Sequence, residues 1–401
     1  VKILVLTSRF PFPLEKGDKL RIFHQIRDIE QAGHEVVLCS LTDTPVLPEH
    51  RQALAAFCSK IFIFPQNKFQ QFTNLLKGSI LGNQAFSVSY FYNPKIAKKI
   101  QQIIENERPT HIYCQLVRCA EYLKNVELPK TLDYMDAFSV NAARRAQSSA
   151  FMVRWFWQLE ARRLQKYECD IAQIFDYLTI ISAQDCNMLP PSVAARVTIV
   201  PNGVATDFFN PIFKEKFLIE NPNKTKYDLV FVGNMGYFPN IEAAKFLVKQ
   251  VLPLLKKEFP HLRTLIAGAR PSAEVVALGS ETVTVSGWLD DIREGYAQGS
   301  IFVAPLLHGS GQQNKILEAM AMGLPCVTTP LVNNAIGATE PNEILCADTE
   351  GGIAAAIRSL LADPKTAQQV GKNGQKFVVK NFSWQRSTEK LVRIWLNLNQ
   401  L

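Results

Sequence analysis

The eight cysteines of this chain form no C-x-x-C pair and share no repeated short spacing. Zinc and disulfide frameworks need such spacings, so both are excluded and free thiols in a reducing compartment are expected. Also missing is any run of about 18 apolar residues, the length a membrane-crossing helix requires. The opening VKILVLT is too short for the apolar centre of a signal peptide and reads as a strand. A cytoplasmic location is the expectation. The chain has no internal repeat of about 20–50 residues and no low-complexity tract, which excludes solenoids and disordered arrays.

Acidic side chains are missing from one long stretch. Residues 51–100 hold seven Lys/Arg and no Asp or Glu. Residues 351–401 hold eight Lys/Arg and two acids, while 301–350 reverse the sign with one Lys and five acids. Every other fifty-residue window lies within one charge of neutral. The formal +8 of the 401-residue chain is therefore two basic patches on a nearly neutral body. A basic balance suits nucleic acid, an anionic membrane surface or phosphorylated substrates. Nucleic acid is set aside, because neither patch holds a recognised module or an ordered array of stacking aromatics. The composition, 47% hydrophobic and 20% charged, is that of a folded chain of two or three domains.

Short apolar runs alternate with helical stretches, twice. The first series has strands at 2–7, 35–40, 61–64, 111–114, 130–134, 178–182 and 197–200, a helix near 18–32 and a long helix over 139–168. The second has strands at 228–233, 264–268, 282–287, 300–305 and 324–329, a helix near 240–257, and final helices near 364–380 and 383–399. Short strands buried on both faces and separated by helices indicate parallel sheets. The fold class expected is α/β, with two doubly wound Rossmann-like domains whose strand ends can face each other across a cleft. The boundaries expected are 1–203 for the first domain, 204–227 for a linker, 228–380 for the second domain, and 381–401 for a helix returning to the first.

Ligands of such sheets bind beyond the carboxyl ends of the strands. The segment HGSGQQNKILEAMAMG, residues 308–323, follows one such strand. Gly309 and Gly311 allow tight turns, and the helix after them aims free N–H groups at an anion. Lys315 stands in its first turn, the only Lys or Arg between Arg293 and Arg358. Glu318 lies three residues on, on the same face, where it could accept hydrogen bonds from a ribose diol. A surface Lys–Glu pair beside a plain glycine turn fits the same letters. On the first domain, Gly17, Lys19 and Arg21 follow the first strand, and Asp133 and Asp136 end another.

G-x-x-N-K-x-L-E-A-M-A-M-G after a V-A-P-L strand resembles the donor-site signature of family-4 glycosyltransferases, retaining enzymes of the GT-B fold. PNGV at 201–204, DLVFVGNMGYFPNIEA at 228–243 and VSGWLDD at 285–291 resemble further segments of that family. SRFPFPLEKGDKLRIFHQIRDIEQAGHEVVL at 8–38 and LDYMDAFS at 132–139 resemble a narrower set, the sugar transferases of exosortase-linked exopolysaccharide clusters.

The resemblance implies a nucleotide-sugar donor, a glycan or lipid-linked acceptor and retention of anomeric configuration. It also implies roles for residues. Glu318 matches the second acid of the family's E-x7-E motif and would hold the ribose. Lys315 and the amides of Gly311, Gln312, Gln313 and Asn314 would hold the diphosphate. Gly17, Lys19, Gly233, Asn234, Arg270, Gly287 and Gly309 complete the expected donor contacts. Arg21 and Asp136 are expected at the acceptor, and Asp136, Lys315, Ser310 and His308 form the expected catalytic set. Two departures stand out. The first motif acid is Ser310 here, and the first donor loop offers the neutral Asn234 and Asn240 where many members place an Arg and a Lys. No D-x-D triplet occurs, so a metal-bridged diphosphate is not indicated and no cofactor is expected. A nucleotide-sugar epimerase of the same fold and a non-catalytic nucleotide-sugar-binding protein are the rivals. Residues 64–99 and 380–393 are expected to form a basic docking face for an anionic membrane, an acceptor-side loop region being the plainer reading of the first.

Overall fold

Apolar runs buried on both faces build two sheets whose strand pairs are all parallel. The structure is a computed structural model, and it describes residues 1–81, 83–308 and 312–396. The chain divides into two compact units, one of Val1–Pro201 with the stretch from Trp384, the other of Asn202–Ser383.

The sheet of unit 1 comprises β1 (Lys2–Thr7), β2 (Glu35–Thr42), β3 (Lys60–Pro65), β4 (His111–Gln115), β5 (Lys130–Asp133), β6 (Tyr177–Ile180) and β7 (Val197–Ile199). Their order is β3-β2-β1-β4-β5-β6-β7, so the direction of winding reverses between β1 and β4. Unit 2 comprises β8 (Tyr227–Val232), β9 (Thr264–Ala267), β10 (Val283–Gly287), β11 (Gly299–Ala304), β12 (Cys326–Thr328) and β13 (Leu345–Cys346). Their order is β10-β9-β8-β11-β12-β13, with the reversal between β8 and β11. A doubly wound sheet opens a crevice at its reversal, beyond the carboxyl ends of the strands. The loops after β1, β4, β8 and β11 are thereby singled out.

An ion pair closes the carboxyl end of the first sheet. Arg21, on the Gly17–Gln31 helix, is fully buried and places Nε 2.7 Å from Asp133 Oδ2. Asp133 also accepts hydrogen bonds from Tyr113 at 2.8 Å and Thr179 at 3.0 Å. One carboxylate thus ties a helix to the ends of three adjacent strands. An acceptor contact for Arg21 does not fit this burial; the guanidinium is spent inside the unit.

Three further expectations change. The long helix over 139–168 is two, Phe138–Ser148 and Phe151–Ala172, packed on one another. Glu168 on the second accepts the Ser139 amide N–H at 3.0 Å, capping the first, so the break is built in. The stretch 204–227 is no bare linker: Pro211–Glu220 is a helix started by Asn210, and Phe217 is buried in the core of unit 2. The helix near 240–257 runs as Phe238–Phe246, a wider turn over Leu247–Val251 and Leu252–Leu255. Pro253 cannot donate a backbone hydrogen bond there, which accounts for the irregularity. The Trp384–Leu396 helix packs on the Gly17–Gln31 helix of unit 1. Its Trp384 ring stacks on His24 with centroids 4.8 Å apart, and Leu391, Val392 and Trp395 are buried with β1 residues.

Candidate functional site

In unit 2 the ends of β8, β9 and β10 are laced together. The Gly233 amide donates to Ala267 at 2.9 Å, the Gly268 amide to Gly287 at 2.9 Å, and the Met235 amide to Ala269 at 2.8 Å. A Cβ at Gly268 would stand 1.8 Å from the Gly233 oxygen, and its φ of +130° is strained for any side chain. Sequence reading missed Gly268, although a glycine directly after TLIA was the available signal. Gly287 ends β10 with φ +70°, followed by Trp288, which is 69% exposed. Such a ring offers a flat platform for a base.

Lys315 enters from the far side of the reversal, in the first turn of the Asn314–Ala321 helix. Its Cε would lie 3.3 Å from a Cβ on Gly233, so the glycine leaves room for the lysine stem. Lys315 donates to Gln313 Oε1 at 2.8 Å, and burial lowers its pKa to about 8, with Glu318 opposing. Glu318 sits one turn below and accepts a hydrogen bond from Tyr296 at 2.6 Å. Burial raises its pKa, against the pull of Tyr296 and then Lys315. Tyr296, fully buried 22 residues earlier in the chain, was not foreseen. Two amide oxygens here, Asn240 Oδ1 and Asn314 Oδ1, are buried without a hydrogen-bond partner among the described residues. Orphaned acceptors of this kind suit the hydroxyls of an incoming ligand.

The other expected donor residues fall unequally. Asn234 is exposed, but its Oδ1 accepts the Gly236 amide N–H at 3.0 Å and its carbonyl is held by Asn240 at 2.8 Å. Arg270 is exposed at φ +53° on the same rim, with no ion pair among the described residues. Gln312 is turned elsewhere: its side-chain amide both accepts from and donates to the backbone of Asn202, at 3.0 and 2.8 Å. It therefore positions the PNG turn. His308 is exposed, its ring 6.2 Å from that of Phe238. Gly309, Ser310 and Gly311 lie outside the described residues.

Unit 1 carries a second constellation at its own reversal. Arg9 follows β1 and pairs with Asp18 at 2.7 Å; Arg118 follows β4 and lies 3.9 Å from Asp18. Neither arginine was picked out in the sequence. Gly17 opens the helix with nothing within 4 Å of a Cβ, while Lys19 folds back on the Phe12 carbonyl at 3.5 Å. Asp136 follows β5, directly after Met135, whose φ of +60° is strained. Its carboxylate has no hydrogen-bond partner among the described residues. Burial, then Asp185, Asp133 and Asp18, raise its pKa from 3.8 to about 6, against Arg118. An unpartnered carboxylate that titrates near neutrality has the properties of a general base. Among the described residues no three His, Cys, Asp or Glu side chains are grouped to hold a metal ion.

The architecture and both constellations define a GT-B fold, two Rossmann-like units each with its own reversal. Comparison with known proteins agrees. Residues 226–363, within unit 2, match the family described as glycosyl transferases group 1. A Klebsiella pneumoniae 44.6 kDa protein of the cps region is 21% identical over 403 residues, covering 95% of this chain and 96% of that one. The Escherichia coli UDP-Gal:alpha-D-GlcNAc-diphosphoundecaprenol alpha-1,3-galactosyltransferase is 24% identical over 222 residues, 51% of this chain and 54% of that one. Among solved structures, Anabaena HepE in complex with UDP superposes with a TM-score of 0.68 at 14% identity, each chain covered completely.

Proposed function

We propose that the protein is a retaining glycosyltransferase that moves a sugar from a nucleoside-diphosphate sugar to an acceptor hydroxyl, the acceptor being a lipid-linked glycan. The observation that carries this reading is Lys315, half-buried against Gly233 at the reversal of unit 2, with Glu318 one turn below. The one basic side chain of an acidic stretch is held where a diphosphate would lie, above a carboxylate suited to a ribose. The galactosyltransferase relative, whose name states a diphosphoundecaprenol acceptor, supports the lipid-linked class.

In this reading the bond from the anomeric carbon to the diphosphate breaks as the bond to the acceptor oxygen forms. Negative charge gathers on the departing diphosphate. Lys315, the first-turn amides of its helix and Arg270 stabilise that charge as it develops, without a bridging metal. We assign the acceptor to unit 1, where Asp136 receives the proton of its hydroxyl. Arg9 and Arg118 offer cationic contacts beside it.

Incubation with a panel of nucleotide sugars, with and without acceptor glycolipid and with a chelator present throughout, tests the proposal. Nucleoside diphosphate released only when acceptor is present, chelator notwithstanding, is the expected result. Interconversion of the donor alone points to an epimerase, and no turnover of any donor defeats both readings.

Asp136 gives a sharper test. A base must be ionised, so kcat/KM should rise as pH climbs through about 6 and then level off. Asp136→Asn should lower turnover by about 10²–10⁴-fold and remove that limb. The same change should stabilise the fold. The folded pKa exceeds the unfolded one, so the carboxylate costs nothing below the unfolded value and its full penalty above about pH 6. At pH 7 the asparagine variant should gain about 1–2 kcal/mol in denaturant unfolding. A variant that is inactive and less stable would mark Asp136 as structural.

A further inference from the structure

The two most exposed large apolar side chains among the described residues of unit 1, Phe151 and Met152, stand at the start of the Phe151–Ala172 helix, with Val153 and Trp155 beside them. Phe151 is 85% exposed, Met152 83%, Trp155 61% and Val153 47%. They lie outside both basic stretches picked out in the sequence. Residues 151–155 cover more than one helical turn, so the apolar surface runs round the helix end instead of along one side. A folded partner covers a face, whereas a helix end with apolar side chains in several directions and Arg154 among them suits entry into a bilayer's headgroup boundary.

The charges around it agree. No Asp or Glu occurs between Asp136 and Glu160, while Arg144, Arg145 and Arg154 do. Arg154 is exposed, with no ion pair among the described residues. Arg154 and Arg162 line a cavity of about 580 Å³ between the Phe138–Ser148 and Phe151–Ala172 helices, among Gln147, Gln158 and Gln165 and without a carboxylate. The acid-free stretch 51–100 is fastened to the same helix. Phe86 stacks on Phe156 at 4.6 Å, Glu160 accepts the Phe86 and Ser87 amides, and Arg163 donates to the Ser79 carbonyl at 2.8 Å. Next to Phe86–Phe91 packs the Lys68–Leu75 helix, where Phe69 is 76% and Phe72 57% exposed.

We propose that this surface docks on an anionic phospholipid bilayer, the first turn of the Phe151–Ala172 helix entering the headgroup region and Arg154 and Arg162 meeting the phosphates. Aromatic and aliphatic anchors beside long cationic side chains are the composition such an interface favours. The inference goes beyond sugar transfer and needs no donor or turnover to be tested.

The full chain is sedimented with vesicles of phosphatidylcholine alone and of phosphatidylcholine mixed with phosphatidylglycerol. It should pellet with the anionic vesicles only, less so as salt is raised. Phe151→Ser with Trp155→Ser, and separately Arg154→Glu with Arg162→Glu, should each weaken binding about tenfold or more, with unchanged circular dichroism. All four positions are exposed, so both variants are expected to fold. Equal binding by both variants, or no pelleting with either vesicle, overturns the proposal. So does a concentration-dependent dimer in sedimentation equilibrium that the substitutions abolish while vesicle binding is unaltered, which would assign the surface to a second copy of the chain.

Discussion

Arg21→Ala should lower the unfolding free energy by about 3–5 kcal/mol, the loss expected when one partner of a buried ion pair is removed. Among the described residues Asp133 would keep Tyr113 and Thr179 as side-chain donors, facing a cavity where the guanidinium had been. Urea unfolding followed by circular dichroism measures the loss. Arg21→Met with Asp133→Leu should cost less than either single change. A loss below about 1 kcal/mol for Arg21→Ala would mean that the pair is relaxed or wetted in solution.

Lys315→Ala should weaken nucleoside diphosphate binding about 10–100-fold and lower turnover by a further 10²–10³-fold, since the charge is needed most as the diphosphate departs. Calorimetric titration with uridine diphosphate measures the first effect and steady-state kinetics the second. The pKa of about 8 gives a sign to test. A bound diphosphate holds the lysine charged, so affinity in the unchanged protein should fall as pH rises above about 8, with proton uptake on binding near that pH. The variant should show neither. Burying the ammonium costs stability while the lysine is charged, so Lys315→Met should unfold no more easily than the parent. Unchanged affinity together with lost stability would place Lys315 in the scaffold instead of the site.

The strands were legible because a parallel strand buried on both faces must be a short apolar run, and each run ends where a loop residue such as Gly233 or Asp136 begins. Lys315 and Glu318 were legible for a local reason: three residues of helix bring them to one face. What the sequence hid is non-local. Arg21 reads as a helix-start cation until Asp133, 112 positions away, is seen to bury it. Gln312 reads as a donor ligand until Asn202 claims both ends of its amide. The Pro211–Glu220 helix was missed because mainly Phe217 turns inward, leaving no stripe to see. The break at 149–150 was missed because apolar residues continue on both sides of it, and with it went the exposed helix end at Phe151.

The placement of the Trp384–Leu396 helix has a consequence for how the protein comes into being. Unit 1 is interrupted: unit 2 is spliced into it as an insert. The two ends of that insert are stapled side by side, Val204 bridging to Ser383 and its amide donating to the Phe382 carbonyl at 2.6 Å. During synthesis, then, the second unit is finished first. The earlier-made half must wait, its core open where Leu391, Val392 and Trp395 belong, until the returning helix is made. Unit 2 can mature, and in evolution be exchanged, as a cassette. Unit 1 closes its core only once the Trp384–Leu396 helix has been made.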